Sequence, residues 1–186
     1  MREVLAEQVP EADVLEGQAE AIPLPDDSAD AILVAQAFHW FDGLRALAEA
    51  KRVLRPAGGL GLVWNTTPWE ERTTPWFSAV NDVLEEGRVD LSVLHRHASG
   101  RWRTVFDGAH GFGELEEALV ENPQFVAPDD LIAGLASRSY IAVLPEDTRA
   151  DLLGRIRALL DRDDAPIEDG RVAVPMRTLV YCARLA

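Results

Sequence analysis

The chain has 186 residues, 47% of them hydrophobic and 27% charged, a composition that supports one well-buried core and is read as one domain, residues 1–186. With 32 acidic against 18 basic residues the formal net charge is −14, which repels a phosphate backbone over most of the surface and argues against nucleic acid or an anionic membrane as partner. The single cysteine, Cys182, leaves no disulfide framework or cysteine-based zinc site, and no run approaches the ~20 apolar residues of a membrane span, so the sequence reads as a cytoplasmic, soluble protein.

Residues 2–8 suit the end of a helix that Pro10 stops. "ADVLEG" from Ala12 reads as a short strand, and "QAEAIPLPDDSAD", with Pro23, Pro25 and an acidic turn, as a loop of fixed shape. "DAILVAQAF" from Asp30 is apolar without alternation until Gln36, the pattern of a strand covered on both faces. Beyond Asp42, a candidate N-cap, Leu44, Leu47, Ala48 and Leu54 fall at helical spacing. The helix is expected to end at "RPAGG", before a second apolar strand, "LGLVWN", from Leu60. Strands that are apolar throughout and joined by a helix predict parallel pairing in an α/β sheet.

The second half is less regular. "TTPWEERTTPWF" reads as an excursion above the sheet. Helices are expected over residues 76–86, 129–137 and 146–160, and strands over 115–125 and 171–184, the last interrupted by Pro175.

Three familiar chemistries lack their local signatures. There is no Gly-x-Ser-x-Gly elbow for a serine nucleophile. His95 and His97 in "LHRHA" have no third ligand nearby and read as solvated loop histidines, so no metal site is expected. "PAGGLG" at Pro56 follows a helix and precedes a strand, the reverse of what a phosphate cradle needs.

What remains is an order of elements. "EGQAEAIPLPDDSADAILVAQAFHWFD", a helix, and then "RVLRPAGGLGLVWN" together resemble the third to fifth strand regions of class I S-adenosylmethionine-dependent methyltransferases, of the methyltransferase type 11 kind and nearest the trans-aconitate methyltransferase-like subgroup. "SRSYIAVLPEDTR" and "VPMRTLVY" extend the resemblance toward the C-terminus. It implies a Rossmann-like α/β sheet, mostly parallel with an antiparallel C-terminal strand, S-adenosylmethionine as cofactor and a small-molecule acceptor.

On this resemblance Gln18, Ala19 and Glu20 form the adenine loop, with Gln18 standing where the family usually has Asp; the alternative for Gln18 and Glu20 is a polar strand exit. Ala35 and Gln36 would lie beside the methionyl part of the cofactor, with His39 and Trp40 near the transferable methyl as catalytic candidates. Trp40 offers an aromatic face to a sulfonium. His39 either orients substrate and accepts a proton or is a loop histidine with a backbone partner. Trp64 and Asn65 end the fifth-strand region and would line the acceptor pocket, unless Trp64 is core. Arg138 and Arg177 are candidate clamps for an anionic acceptor, or surface ion-pair partners.

The family's glycine-rich loop after the first strand, and the acidic residue after the second, occur nowhere in the sequence. The expectation is an N-terminally truncated methyltransferase whose first strands are missing and whose sheet edge is bare. The alternative is a non-catalytic methyltransferase-like interaction protein that uses that edge to pair with itself, as a homodimer, or with a partner.

Overall fold

The computed structural model describes residues 2–66, 72–87, 100–108 and 111–185. His95, His97 and the first part of the Thr-Pro/Trp segment lie outside the described residues. The chain separates into two compact units interleaved along the sequence: residues 1–62, 96–116 and 181–186 form the first, and residues 63–95 and 117–180 the second.

The first unit opens with α1 (Arg2–Gln8), which buries no residue. The strand expected from Ala12 is absent: residues 13–17 are irregular, and only an isolated bridge joins Gln18 to Ala21. A strand exists through its ladder, and no described residue pairs along this stretch, so high local apolarity alone does not make one.

β1 (Ala29–Ala35) leads through a short 3-10 turn (Phe38–Trp40) into α2 (Gly43–Val53). Asp42 caps α2 by accepting from the Arg45 N–H at 3.3 Å. The buried stripe is Ala46, Leu47, Ala50 and Val53, whereas Leu44 and Ala48 of the expected face are exposed. The core lies against the flank begun by Ala46, and residues four and seven further on share it.

α2 runs directly into β2 (Leu54–Thr66), so "RPAGG" lies inside a strand rather than in a turn. Ala57 has φ +64°, and a Cβ on Gly58 would come within 2.9 Å of the Arg55 carbonyl oxygen and 3.1 Å of that of Asp30, which leaves no room for any other residue there. Gly58 beside Asp30 and Gly61 beside Ile32 set β1 and β2 in the same direction.

The sheet has the order β1-β2-β7-β3, with β3 at Glu116–Glu121 and β7 at Arg177–Arg184. Gly58 accepts from Leu185 near one end of β2 while Thr66 donates to Arg177 at the other, so β7 runs antiparallel to β2. β1 is therefore an edge strand, and the expectation that it is covered on both faces fails. None of its residues is buried, and Leu33 is 78% exposed. Covering depends on neighbours the strand's own sequence does not report, and among the described residues β1 pairs on one side only.

The loop before β1 is held to α2 by one ion-pair hub. Arg52 donates to the carbonyls of Ile22 (3.0 Å) and Leu24 (2.9 Å), to Asp26 (2.6 Å) and to Glu49 (2.6 Å), and Glu49 accepts the Ile22 N–H at 2.8 Å. The Arg52 hydrogen bond, followed by the Ile22 amide, holds the Glu49 carboxyl below the usual carboxylate range against its desolvation. A carboxyl depressed on folding contributes stability that is present above its unfolded pKa and is lost as pH falls through the folded one. Amide exchange at Ile22 should therefore accelerate as pH drops below the ordinary carboxylate range, beyond the intrinsic pH dependence of exchange, and Glu49→Gln should remove that step. A step that survives Glu49→Gln would refute it.

The second unit has its own core. α3 (Pro75–Glu86) begins at the cap Thr74, which accepts from the Phe77 N–H at 3.3 Å, with Pro75 in the first turn. It buries Trp76, Phe77, Val80, Val83 and Leu84 against side chains of α4 (Pro128–Ala136), α5 (Ser139–Ala142) and α6 (Glu146–Leu159). Val172 and Val174 of β6 (Arg171–Val174) close it, β6 pairing antiparallel with β4 (Gln124–Val126) and β5 (Ile167–Glu168). The strand expected over 115–125 is thus two strands in different sheets, separated by Asn122 and Pro123, and Pro175 divides β6 from β7 in the same way.

Candidate functional site

The carboxyl end of a parallel strand followed by a turn is where open α/β sheets present ligand groups. β1 ends at Ala35, and the next residue, Gln36, takes φ +58°. A left-handed non-glycine residue costs ~1–2 kcal/mol, and such positions concentrate where chain direction serves a site. The turn that follows buries Phe38, leaves His39 half-buried and leaves Trp40 50% exposed, with the His39 and Trp40 rings 5.0 Å apart at 43°.

Phe38 anchors this turn. Its ring lies 5.9 Å from Phe41, 6.1 Å from Trp102 and 5.7 Å from Phe106, the last two belonging to a second 3-10 turn, Arg101–Phe106. Between the turns a cleft of about 220 Å³ is lined by Phe38, His39, Phe41, Gly43, Arg101, Trp102 and Val105. A separate apolar concavity of about 350 Å³ runs along β1 from Ile32 to Ala35, bounded by Ala19, Ile22, Phe38 and the α2 residues Ala46 and Ala50.

Of the cofactor candidates, Ala19 of the adenine loop and Ala35 of the methionyl side share that concavity, while Gln18 is exposed and exchanges backbone hydrogen bonds with Ala21 (3.4 and 3.0 Å). Glu20 accepts the Asp42 N–H at 2.8 Å, tying the loop to the start of α2. The other candidates belong to the second unit. Trp64 is 2% exposed within β2. Asn65 accepts from the Thr178 hydroxyl at 2.8 Å, and that hydroxyl accepts from Asn122 at 3.1 Å. Arg138 lines a concavity of about 200 Å³ with Gln124, Asp130 and Met176, and Arg177 pairs with Glu121 at 3.3 Å. Sequence reading passed over Arg101 and Trp102, whose "GRWRTVF" has neither periodicity nor a motif to mark it.

The fit of S-adenosylmethionine to these residues is partial. Among the described residues the β1 concavity is lined by aliphatic and aromatic side chains, which suits a flat base or the methionyl chain, and none of them is charged to meet ribose hydroxyls or the amino-acid end. Among the described residues no three His, Cys, Asp or Glu side chains gather as a metal site, and no helix is long and apolar enough to cross a membrane.

A profile of the methyltransferase domain family matches residues 1–62. An uncharacterized methyltransferase of Mycobacterium tuberculosis is 37% identical over 186 residues, covering 100% of this chain and 71% of that protein. An uncharacterized methyltransferase-like protein of Schizosaccharomyces pombe is 39% identical over 149 residues, 80% of this chain and 56% of its own length. Among solved structures, a proposed type II methyltransferase from Anaeromyxobacter dehalogenans superposes with a TM-score of 0.58 at 23% identity, over 96% of this chain and 77% of that one. That likeness shows the fold: a Rossmann-like α/β sheet, mostly parallel, with β7 antiparallel.

Proposed function

Because the chain belongs to the methyltransferase family, we propose that it serves S-adenosylmethionine-dependent methyl transfer to a small acceptor bearing a carboxylate or hydroxyl. The supporting observation is the corner at the end of β1, where left-handed Gln36 turns the chain and the His39–Trp40 pair follows at once. When bound, S-adenosylmethionine supplies an electrophilic methyl on a cationic sulfur, and transfer to a deprotonated oxygen removes both charges together.

The chain's residues have modest tasks in such a reaction. Trp40 offers a ring face to positive charge. His39, half-buried beside it, takes the proton of a hydroxyl acceptor; a carboxylate acceptor arrives ionised and needs only orientation. Ala19 and Ala35 wall the apolar side of the cofactor, and Glu20 holds its loop to α2. Neither a glycine-rich floor nor a ribose-holding acid is among these 186 residues, so in this reading the chain's own residues hold the cofactor weakly.

Calorimetry on the 186-residue chain should accordingly show S-adenosylmethionine binding no tighter than about millimolar. Amide shifts at millimolar cofactor should centre on Ala35, Gln36, His39 and Trp40. Micromolar affinity would overturn the missing floor, and the absence of shifts at these residues would overturn the site.

A second reading rests on a different observation, the bare β1 edge with Leu33 outermost: the chain self-associates through that edge as a non-catalytic, methyltransferase-like protein.

A further inference from the structure

The segment from Gly17 to Pro23 closes on itself. Gln18 and Ala21 exchange backbone hydrogen bonds at 3.4 and 3.0 Å, and a Cβ on Gly17 would come within 2.5 Å of the Pro23 ring, so the two ends touch. A piece closed in this way keeps its internal shape, and its place over β1 is set by ties that reach it from outside.

Such ties come from both ends of α2. At the start of the helix, Glu20 accepts the Asp42 N–H at 2.8 Å. Roughly 10–15 Å further along the axis, Glu49 and Arg52 grip the peptide groups of Ile22. Glu49 accepts the Ile22 N–H at 2.8 Å, while the Ile22 carbonyl accepts from Arg52 at 3.0 Å and from the Leu24 N–H at 2.8 Å. Glu49 and Arg52 also bond each other at 2.6 Å, so each fixes the other's rotamer.

Both peptide groups of Ile22 are thus spent within the protein, and what this residue offers to the concavity along β1 is its half-buried side chain. Neither Glu49 nor Arg52 lines that concavity. They act on it from behind, through the residue that does. A radial gap of ~0.5–1 Å forfeits a quarter to a half of a dispersion contact, so an apolar wall is only as good as its placement.

We infer that Glu49 and Arg52 are positioning residues for the β1 concavity: by holding the Ile22 peptide they set the Ile22 side chain as a wall against an apolar face of the ligand. Naming that face as the adenosine part of S-adenosylmethionine rests on the methyl-transfer reading; the positioning does not.

A double-mutant cycle on the 186-residue chain tests this, with adenosine and indole as neutral probes and the backbone amide resonances of Val34 and Ala50 as reporters. Both probes should give saturable shifts there. Ile22→Ala should weaken binding about fivefold to tenfold, and Arg52→Gln or Glu49→Ala by a similar factor. Because Arg52 acts through Ile22, adding Arg52→Gln to Ile22→Ala should weaken binding by no more than about twofold further, whereas independent effects would multiply. Glu49→Gln, whose amide oxygen still accepts the Ile22 N–H, should recover most of the affinity that Glu49→Ala loses. Arg55→Gln removes bonds to the Asp27 carbonyl and to Asp30, farther along the same segment, and should leave binding unchanged. The amides of Leu47 and Val53 on the core face of α2 report folding, and where Arg52→Gln disturbs them Arg52→Lys carries the same cycle.

Multiplying losses in the cycle, a Glu49→Gln chain as weak as Glu49→Ala, a loss at Arg55→Gln equal to that at Arg52→Gln, or indole without saturable shifts would each overturn the positioning. Indole that obeys the cycle in a chain that does not bind adenosine would overturn the cofactor assignment and leave the positioning standing. Adenosine that binds without coupling between Arg52 and Ile22 would overturn the positioning alone.

Discussion

Trp76→Ala should remove about 3–5 kcal/mol from the stability of the second unit, a large part of the ~5–15 kcal/mol typical of a domain. Trp76 is 1% exposed at the start of α3, amid a core that also receives α4, α5, α6 and β6. Its indole N–H donates to the Leu159 carbonyl at 2.7 Å, satisfying an acceptor in the last turn of α6 that has no partner within its own helix. Truncation thus opens a cavity and leaves that carbonyl with only the longer, 3.4 Å bond from the Arg162 N–H, while Trp76→Phe keeps most of the volume and should lose only about 1 kcal/mol for the hydrogen bond plus some packing. Urea unfolding followed by far-ultraviolet circular dichroism measures both. A loss below about 1 kcal/mol for the alanine variant would mean that this core is not closed around Trp76.

On the second reading, self-association through β1, Leu33→Lys should shift the chain from a concentration-dependent dimer to a monomer without altering the fold. Among the described residues β1 pairs on one side only, and its acidic Asp30 is already paired with Arg55 at 2.7 Å, so two copies can meet there without direct repulsion despite the overall charge. If each copy buries its Leu33 on pairing, the pair gains about 1.5–3 kcal/mol from each leucine. Lysine at both positions should then weaken association by roughly a hundredfold or more. Lysine is also a side chain that natural edge strands use to prevent such pairing. Leu33 covers Gly61 of β2, so the β1–β2 ladder itself should survive. Sedimentation over a range of concentrations tests this. A chain that stays monomeric at all of them, or a dimer indifferent to the lysine, would eliminate edge pairing.

Between them the two substitutions separate what was readable in advance from what was not. Three of the four described helices of the second unit were legible to within one or two residues, because Pro75, Pro128 and Pro145 mark their starts and their apolar residues recur at helical spacing, whereas the short Ser139–Ala142 was not. The partition of 115–125 and 171–184 between two sheets was not, although Pro123 and Pro175 sit at the divisions: proline marks a break in a ladder and does not say which ladder follows. On the site side, the order of a loop, an apolar strand and "FHWFD" makes Ala35 through Trp40 candidates. Arg101 and Trp102 were invisible, since the cleft they share with His39 joins segments more than sixty residues apart in the chain.

The sequence by itself determined the local alphabet: which segments are helical, where prolines end them, the parallel β1-α2-β2 succession, and a surface charge hostile to phosphate. Tertiary structure alone decided the rest. Whether β1 is covered or bare, which face of α2 is inside, and which arginine shares a cleft with His39 are properties of neighbours, and burial is set by pairing between distant segments that no local period encodes.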